Sequence, residues 1–213
     1  MNYINKDTKL YGSFSIKAGN NGCKTFNKLF QQNKINAIYK SFSVTDIKDA
    51  VLSARTLNFS GFAVSMPYKT EVLKYVDVVD EDTSNIGAAN TIVNKDGLLT
   101  AYNTDYMAVK ELLEEMNITS LYIIGSGGFA KAVHYACDLL SIEYSFITRD
   151  NFGNLDFLIN STIINCTPVE NINVDKSNTF IDAIPTTETG KYIASKQAKH
   201  QYNLYTQWNQ RYL

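Results

Sequence analysis

The sequence predicts an α/β chain folded as two lobes. Short apolar runs alternate with helical patterns along its whole length, the signature of parallel sheets covered by helices. That alternation pauses near residue 117 and restarts with Leu121-Tyr122-Ile123-Ile124-Gly125. With 213 residues, 45% of them apolar and 19% charged, the chain can build one large core or two smaller ones.

The elements follow in order. Residues 9–16 read as a strand, and CKTFNKLFQQN after Asn21-Gly22 as a helix with Phe26, Leu29 and Phe30 on one face. A second strand covers 36–44. Asp46 then caps a helix whose inward residues are Ile47, Ala50, Val51 and Ala54. The strand GFAVS leads to Pro67 and a helical EVLKYVDVV. ANTIVN and LLTAYN form a hairpin across Lys95-Asp96-Gly97, since Asp-Gly between β-rich runs is a strong hairpin signal. A helix starting near Thr104 carries Met107, Val109, Leu112, Leu113 and Met116, and is expected to bridge the lobes. Beyond it come LYIIG, a glycine turn, the helix FAKAVHYACDL, the strand EYSFITR, a polar DNFGN, and the strands STIINCTP and TFIDAIP. Two helical stretches, TETGKYIASKQ and YNLYTQWNQRYL, complete the chain. The first lobe is expected to span residues 1–103 with a returning helix at 198–213, and the second 117–190.

Composition excludes several classes. A net charge of −1 leaves no electrostatic footprint for nucleic acid or an anionic membrane. Three scattered cysteines and two histidines provide neither a disulfide framework nor a metal site, so no metal is expected. The first twenty residues lack the apolar core of a signal peptide, and no apolar stretch is long enough to span a bilayer. A cytoplasmic location is expected. Oligomeric state is not legible.

Gly125-Ser126-Gly127-Gly128 lies between a strand and a helix, the setting of a dinucleotide site. Glycines let the backbone approach a pyrophosphate, and the helix N-terminus offers N–H groups to its charge. The spacing is GxGGxxxA rather than GxGxxG, so a tight turn without ligand is the competing reading. The next strand ends in Thr148-Arg149-Asp150. An acidic residue at that strand end would select NAD; threonine followed by arginine favours NADP, with NAD as the minority alternative.

Lys69 follows Pro67 near an expected helix start, where the helix dipole prefers a carboxylate. Its competing reading is a solvated surface lysine, and that of Asp105, in a first helical turn, is capping. Taken together the polar clusters are more specific. AVSMPYK, IGAANTI, AYNTDY, GSGGFAKA and INCTPV resemble, in order and spacing, five motifs of the shikimate dehydrogenase family, with wording closest to its shikimate dehydrogenase-like branch. The resemblance implies an N-terminal α/β substrate-binding lobe, a Rossmann-type NADP lobe and a cleft between them. It implies that Lys69 is the catalytic lysine and Asp105 its partner, and that Ser65, Asn90, Asn20 and Gln207 contact a small-molecule substrate. Gly125, Ser126, Gly127, Gly128, Phe129, Ala130, Thr148, Arg149, Asn165 and Thr167 match cofactor-binding positions. The implied activity is NADP-dependent reversible reduction of 3-dehydroshikimate to shikimate, or of a closely related cyclic hydroxy acid.

Two departures keep other readings open. Ala18 and Asn20 stand where the family grips the substrate carboxylate with Ser-x-Ser, so quinate or another hydroxy acid is an alternative substrate. Only fifteen residues separate Arg149 from Asn165, where the family has a further helix and strand. A non-catalytic dinucleotide-binding regulatory protein is the alternative from a different class.

Overall fold

The computed structural model describes residues 4–207. They form two compact units, one of residues up to Thr104 together with those from Ala198, the other from Asp105 to Gln197. Each has its own sheet.

The first unit contains a six-stranded mixed sheet. Its elements are β1 (Lys9–Ser15), α1 (Asn21–Gln32), β2 (Ala37–Ser43), α2 (Ile47–Thr56), β3 (Gly61–Val64), β4 (Val78–Val79), α3 (Glu81–Ile86), β5 (Thr91–Lys95) and β6 (Leu98–Tyr102). The strand order is β2-β1-β3-β5-β6-β4. Strand alternation sends Tyr11 and Tyr39 to one face, where they pack with Phe26 and Phe30 of α1. Phe14 goes to the other face, where it packs with Ile47, Val51 and Ala54 of α2. Full burial of Phe30 and Phe62 contributes about 1.5–3 kcal/mol each. Asp46 caps α2 as expected, its carboxylate accepting from Asp49 N at 3.0 Å. Asp96 and Gly97 take left-handed backbone, with φ of 52° and 89°, closing the β5–β6 hairpin.

The second unit contains a four-stranded, wholly parallel sheet in the order β10-β9-β7-β8. Its elements are α4 (Thr104–Glu115, whose first residue belongs to the other unit), β7 (Ser120–Ile124), α5 (Gly128–Leu140), β8 (Glu143–Ile147), β9 (Thr162–Asn165), β10 (Thr179–Asp182) and the start of α6 (Glu188–Gln207). The order corresponds to strands 5-4-1-2 of a doubly wound dinucleotide fold. A 3-10 segment, Arg149–Phe157, leads from β8 to β9 with no strand between them, leaving β8 at the edge. Lys196 ties α6 to α4 through Glu111 and Glu115, at 2.9 and 2.8 Å.

Several elements differ from the sequence reading. EVLKYVDVV is not one helix: a five-residue 3-10 turn, Glu71–Tyr75, gives way to β4. α3 was not anticipated; Asp80 caps it, and Gly87 ends it with φ of 67°. The first of the two last helical stretches continues without a break into the described part of the second, through Gln207, as one α6. On α4 the buried hydrophobic residues are Tyr106, Ala108, Val109, Leu112 and Leu113; Met116, just past its end, is exposed. Those residues from Ala108 onward pack in the second core, so the second unit begins at Asp105 rather than near 117. No helix among the described residues is long and apolar enough to cross a membrane.

Candidate active site

In the first unit the backbone around Lys69 is held on several sides. As the chain leaves β3, Ser65 N donates to Phe14 O at 2.9 Å and Tyr68 N to Ser65 O at 3.0 Å, closing the turn around Pro67. Tyr68 is buried, and its hydroxyl donates to Val44 O at 2.8 Å. The Lys69 carbonyl accepts from Ala89 N at 2.7 Å. Lys69 thus leaves a fixed backbone, partly buried and directly beside the segment that carries Asn90. It precedes a 3-10 turn of only five residues, so the dipole objection raised by the sequence carries little weight here.

Asn90 is buried and organises its surroundings. Its Oδ1 accepts from Thr104 N at 2.8 Å, Thr91 Oγ1 at 2.9 Å and Thr104 Oγ1 at 3.1 Å. Three donors on one carbonyl oxygen bind the start of β5 to the start of α4. Asp105 follows Thr104 directly, in the first turn of α4, and is 1% exposed.

The sequence reading chose Gln207 as the glutamine of the last helix; its side chain lies outside the described residues. The structure brings Gln201 to this cluster instead. Gln201 is buried, and its Nε2 donates to Thr91 Oγ1 at 2.9 Å and to Asn90 O at 3.3 Å. A signal for it was present: Gln201 and the buried Tyr205 are four residues apart on one face of α6. Ser65 and Asn20 are both exposed, Asn20 standing at the N-cap of α1 without a side-chain capping bond.

In the second unit the predicted cofactor positions gather at the C-terminal ends of β7, β8 and β9. Gly125 N donates to Ile147 O, one residue before Thr148, and Cys166 N donates to Ile124 O, both at 3.0 Å. Gly125 has a φ of +106°, and a Cβ there would lie 2.8 Å from Thr167 Cγ2, so glycine is required on both counts. Gly127 is the N-cap of α5 and makes no side-chain capping bond; a Cβ built on it meets nothing within 4 Å. Space therefore remains in front of the first turn formed by Gly128, Phe129 and Ala130, as an approaching phosphate requires. Ser126 lies in the same turn. The switch in strand order between β7 and β9, where such folds bind ligands, falls at this point.

Asn165 is fully buried, and its amide is spent within the protein. Nδ2 donates to Val169 O at 3.0 Å and to Asp182 Oδ1 at 3.1 Å, while Oδ1 accepts from Thr167 N and Oγ1 at 2.9 and 2.7 Å. Its side chain shapes the Thr167 loop. Arg149 is exposed and has no ion-pair partner among the described residues.

The family model for the shikimate dehydrogenase substrate binding domain matches residues 22–92. A shikimate dehydrogenase (NADP(+)) of Methanococcus maripaludis is 34% identical over 195 residues, covering 78% of this chain and 70% of that protein. The chain belongs to the shikimate dehydrogenase family. A shikimate dehydrogenase-like protein of Haemophilus influenzae is 41% identical over 133 residues, 61% of this chain, and is matched over about half of its own length, 49%. Among solved structures, a shikimate 5-dehydrogenase-like protein superposes with a TM-score of 0.80 at 28% identity, over 96% of this chain and 94% of that one. Family membership accounts for the two-unit α/β fold and the Rossmann-type second sheet.

Proposed function

We propose that this chain is an NADP-dependent oxidoreductase of the shikimate dehydrogenase type, reversibly reducing 3-dehydroshikimate to shikimate or a closely related cyclic hydroxy acid. The observation that carries the reading is Lys69, which leaves a backbone fixed by Tyr68 and Ala89 beside the Asn90 cluster. A structural lysine needs no such placement. In this reading NADP, when bound, supplies the hydride acceptor. The Lys69 amine takes the proton from the reacting hydroxyl, or returns it in the reverse direction, with Asp105 as its carboxylate partner. Ser65, Asn90, Asn20 and Gln201 orient the substrate oxygens.

The second unit fits the dinucleotide. The open first turn of α5 receives the pyrophosphate, and Arg149 receives the phosphate that distinguishes NADP from NAD. Asn165 acts indirectly, by holding the Thr167 loop. Replacing Arg149 with alanine is expected to weaken NADP binding by about 1.5–3 kcal/mol while leaving NAD nearly unchanged. Fluorescence titration of both dinucleotides checks this, and equal losses would make Arg149 structural.

A second substrate reading is kept by Ala18 and Asn20, which replace a hydroxyl pair with one amide at an exposed N-cap. The test is a panel of shikimate, quinate and simple hydroxy acids with NADP, followed as NADPH absorbance. Shikimate is expected to give the highest kcat/KM; a higher value for quinate would move the assignment to that substrate.

A further inference from the structure

Among the described residues the second unit has no strand beyond β8, and its outer edge is open along the run that ends at Arg149. At the end of that run the Asn151 side chain folds back. Its Oδ1 accepts from Thr148 N at 2.6 Å and from Thr148 Oγ1 at 3.3 Å, and its Nδ2 donates to Phe146 O at 3.1 Å. Phe146 O and Thr148 N flank Ile147 and face away from β7. The Glu143 N and Ile147 O groups, by contrast, bond inward, to Thr119 O and Gly125 N. In a parallel ladder, one residue of a neighbouring strand bonds to such a flanking pair, donating its N–H to the carbonyl and accepting from the amide. The Asn151 carboxamide makes the same two bonds.

We propose that Asn151 replaces the missing strand at this point and is the positioning residue for cofactor discrimination. It holds the Thr148–Arg149 backbone so that the guanidinium is presented to the extra phosphate of NADP. Arg149 is exposed and has no ion pair among the described residues, so its aim depends on the backbone that carries it. An edge strand without a neighbour frays at its end, and the Asn151 bonds counter this at the peptide groups on either side of Ile147, just before Arg149. The inference rests on the proposed dinucleotide reading of this unit.

The experiment titrates the full chain and Asn151→Ala with NADP and with NAD, alongside thermal melts. Loss of the equivalent of one net hydrogen bond from the phosphate grip is expected to lower the NADP-to-NAD affinity ratio about fivefold or more. The affinity for NAD itself is expected to stay within about twofold, because NAD lacks the extra phosphate that Arg149 is proposed to grip. A residue that only stabilised the unit would change both affinities together, leaving the ratio as it was. Should the alanine variant fail to fold, Asn151→Leu keeps the size, removes both bonds and is read in the same titrations. An unchanged ratio in either folded variant overturns the role of Asn151. A wild-type chain that binds neither dinucleotide overturns the reading of the unit and this inference with it, whereas wild-type preference for NADP with an unchanged variant overturns the inference alone.

Discussion

Replacing Lys69 with alanine is expected to lower kcat by about 100- to 10,000-fold, the usual contribution of a general acid–base group, with a much smaller change in KM. Hydride loss from a secondary alcohol leaves a carbonyl only if the hydroxyl proton departs, so removal of its acceptor acts in the transition state. Little structural cost is expected. The Lys69 backbone is held by bonds from Ala89 and by the buried Tyr68, none of which needs the lysine side chain. Asp105→Asn keeps the size and the polar end of the first turn of α4, and is expected to depress turnover while preserving the melt. The check is steady-state kinetics beside thermal melts of both variants. Full activity in Lys69→Ala would remove the amine from the chemistry.

Asn90→Ala is expected to destabilise the chain by about 2–4 kcal/mol, since buried donors left without an acceptor cost about 1–3 kcal/mol each. The Thr104 amide is the group most affected. Thr91 and Thr104 hydroxyls lie 3.3 Å apart and can turn toward each other, but the amide cannot follow. Urea unfolding measures the loss. Asn90→Asp retains a carboxyl oxygen for the same three donors and is expected to lose less. A change below about 0.5 kcal/mol in the alanine variant would show that water or a rearranged turn replaces the amide.

Local chemistry was the most legible part of the sequence. Asp46, Asp96-Gly97 and the glycine turn each name their structure because one residue type meets one backbone demand. Longer-range features were less so. α6 reads as two helices because its buried face changes along its length: Ile193 packs in the second core, whereas Gln201 and Tyr205 face the first. That change of side also obscured the glutamine. α3 has six residues, too few to display a period, and only Asp80 and Gly87 mark its ends. The absence of a further strand between β8 and β9 could be read from the short stretch between Arg149 and Asn165, set beside the longer one of the family. That Asn151 bonds in its place could not, because an asparagine in a polar run looks like any other loop residue.

The most direct test is to add 3-dehydroshikimate to the purified chain with NADPH and follow nicotinamide absorbance. NADPH consumption with shikimate as the product is expected, with near-complete loss in Lys69→Ala. An enzyme that binds NADPH yet consumes none with 3-dehydroshikimate or 3-dehydroquinate would contradict the proposed function.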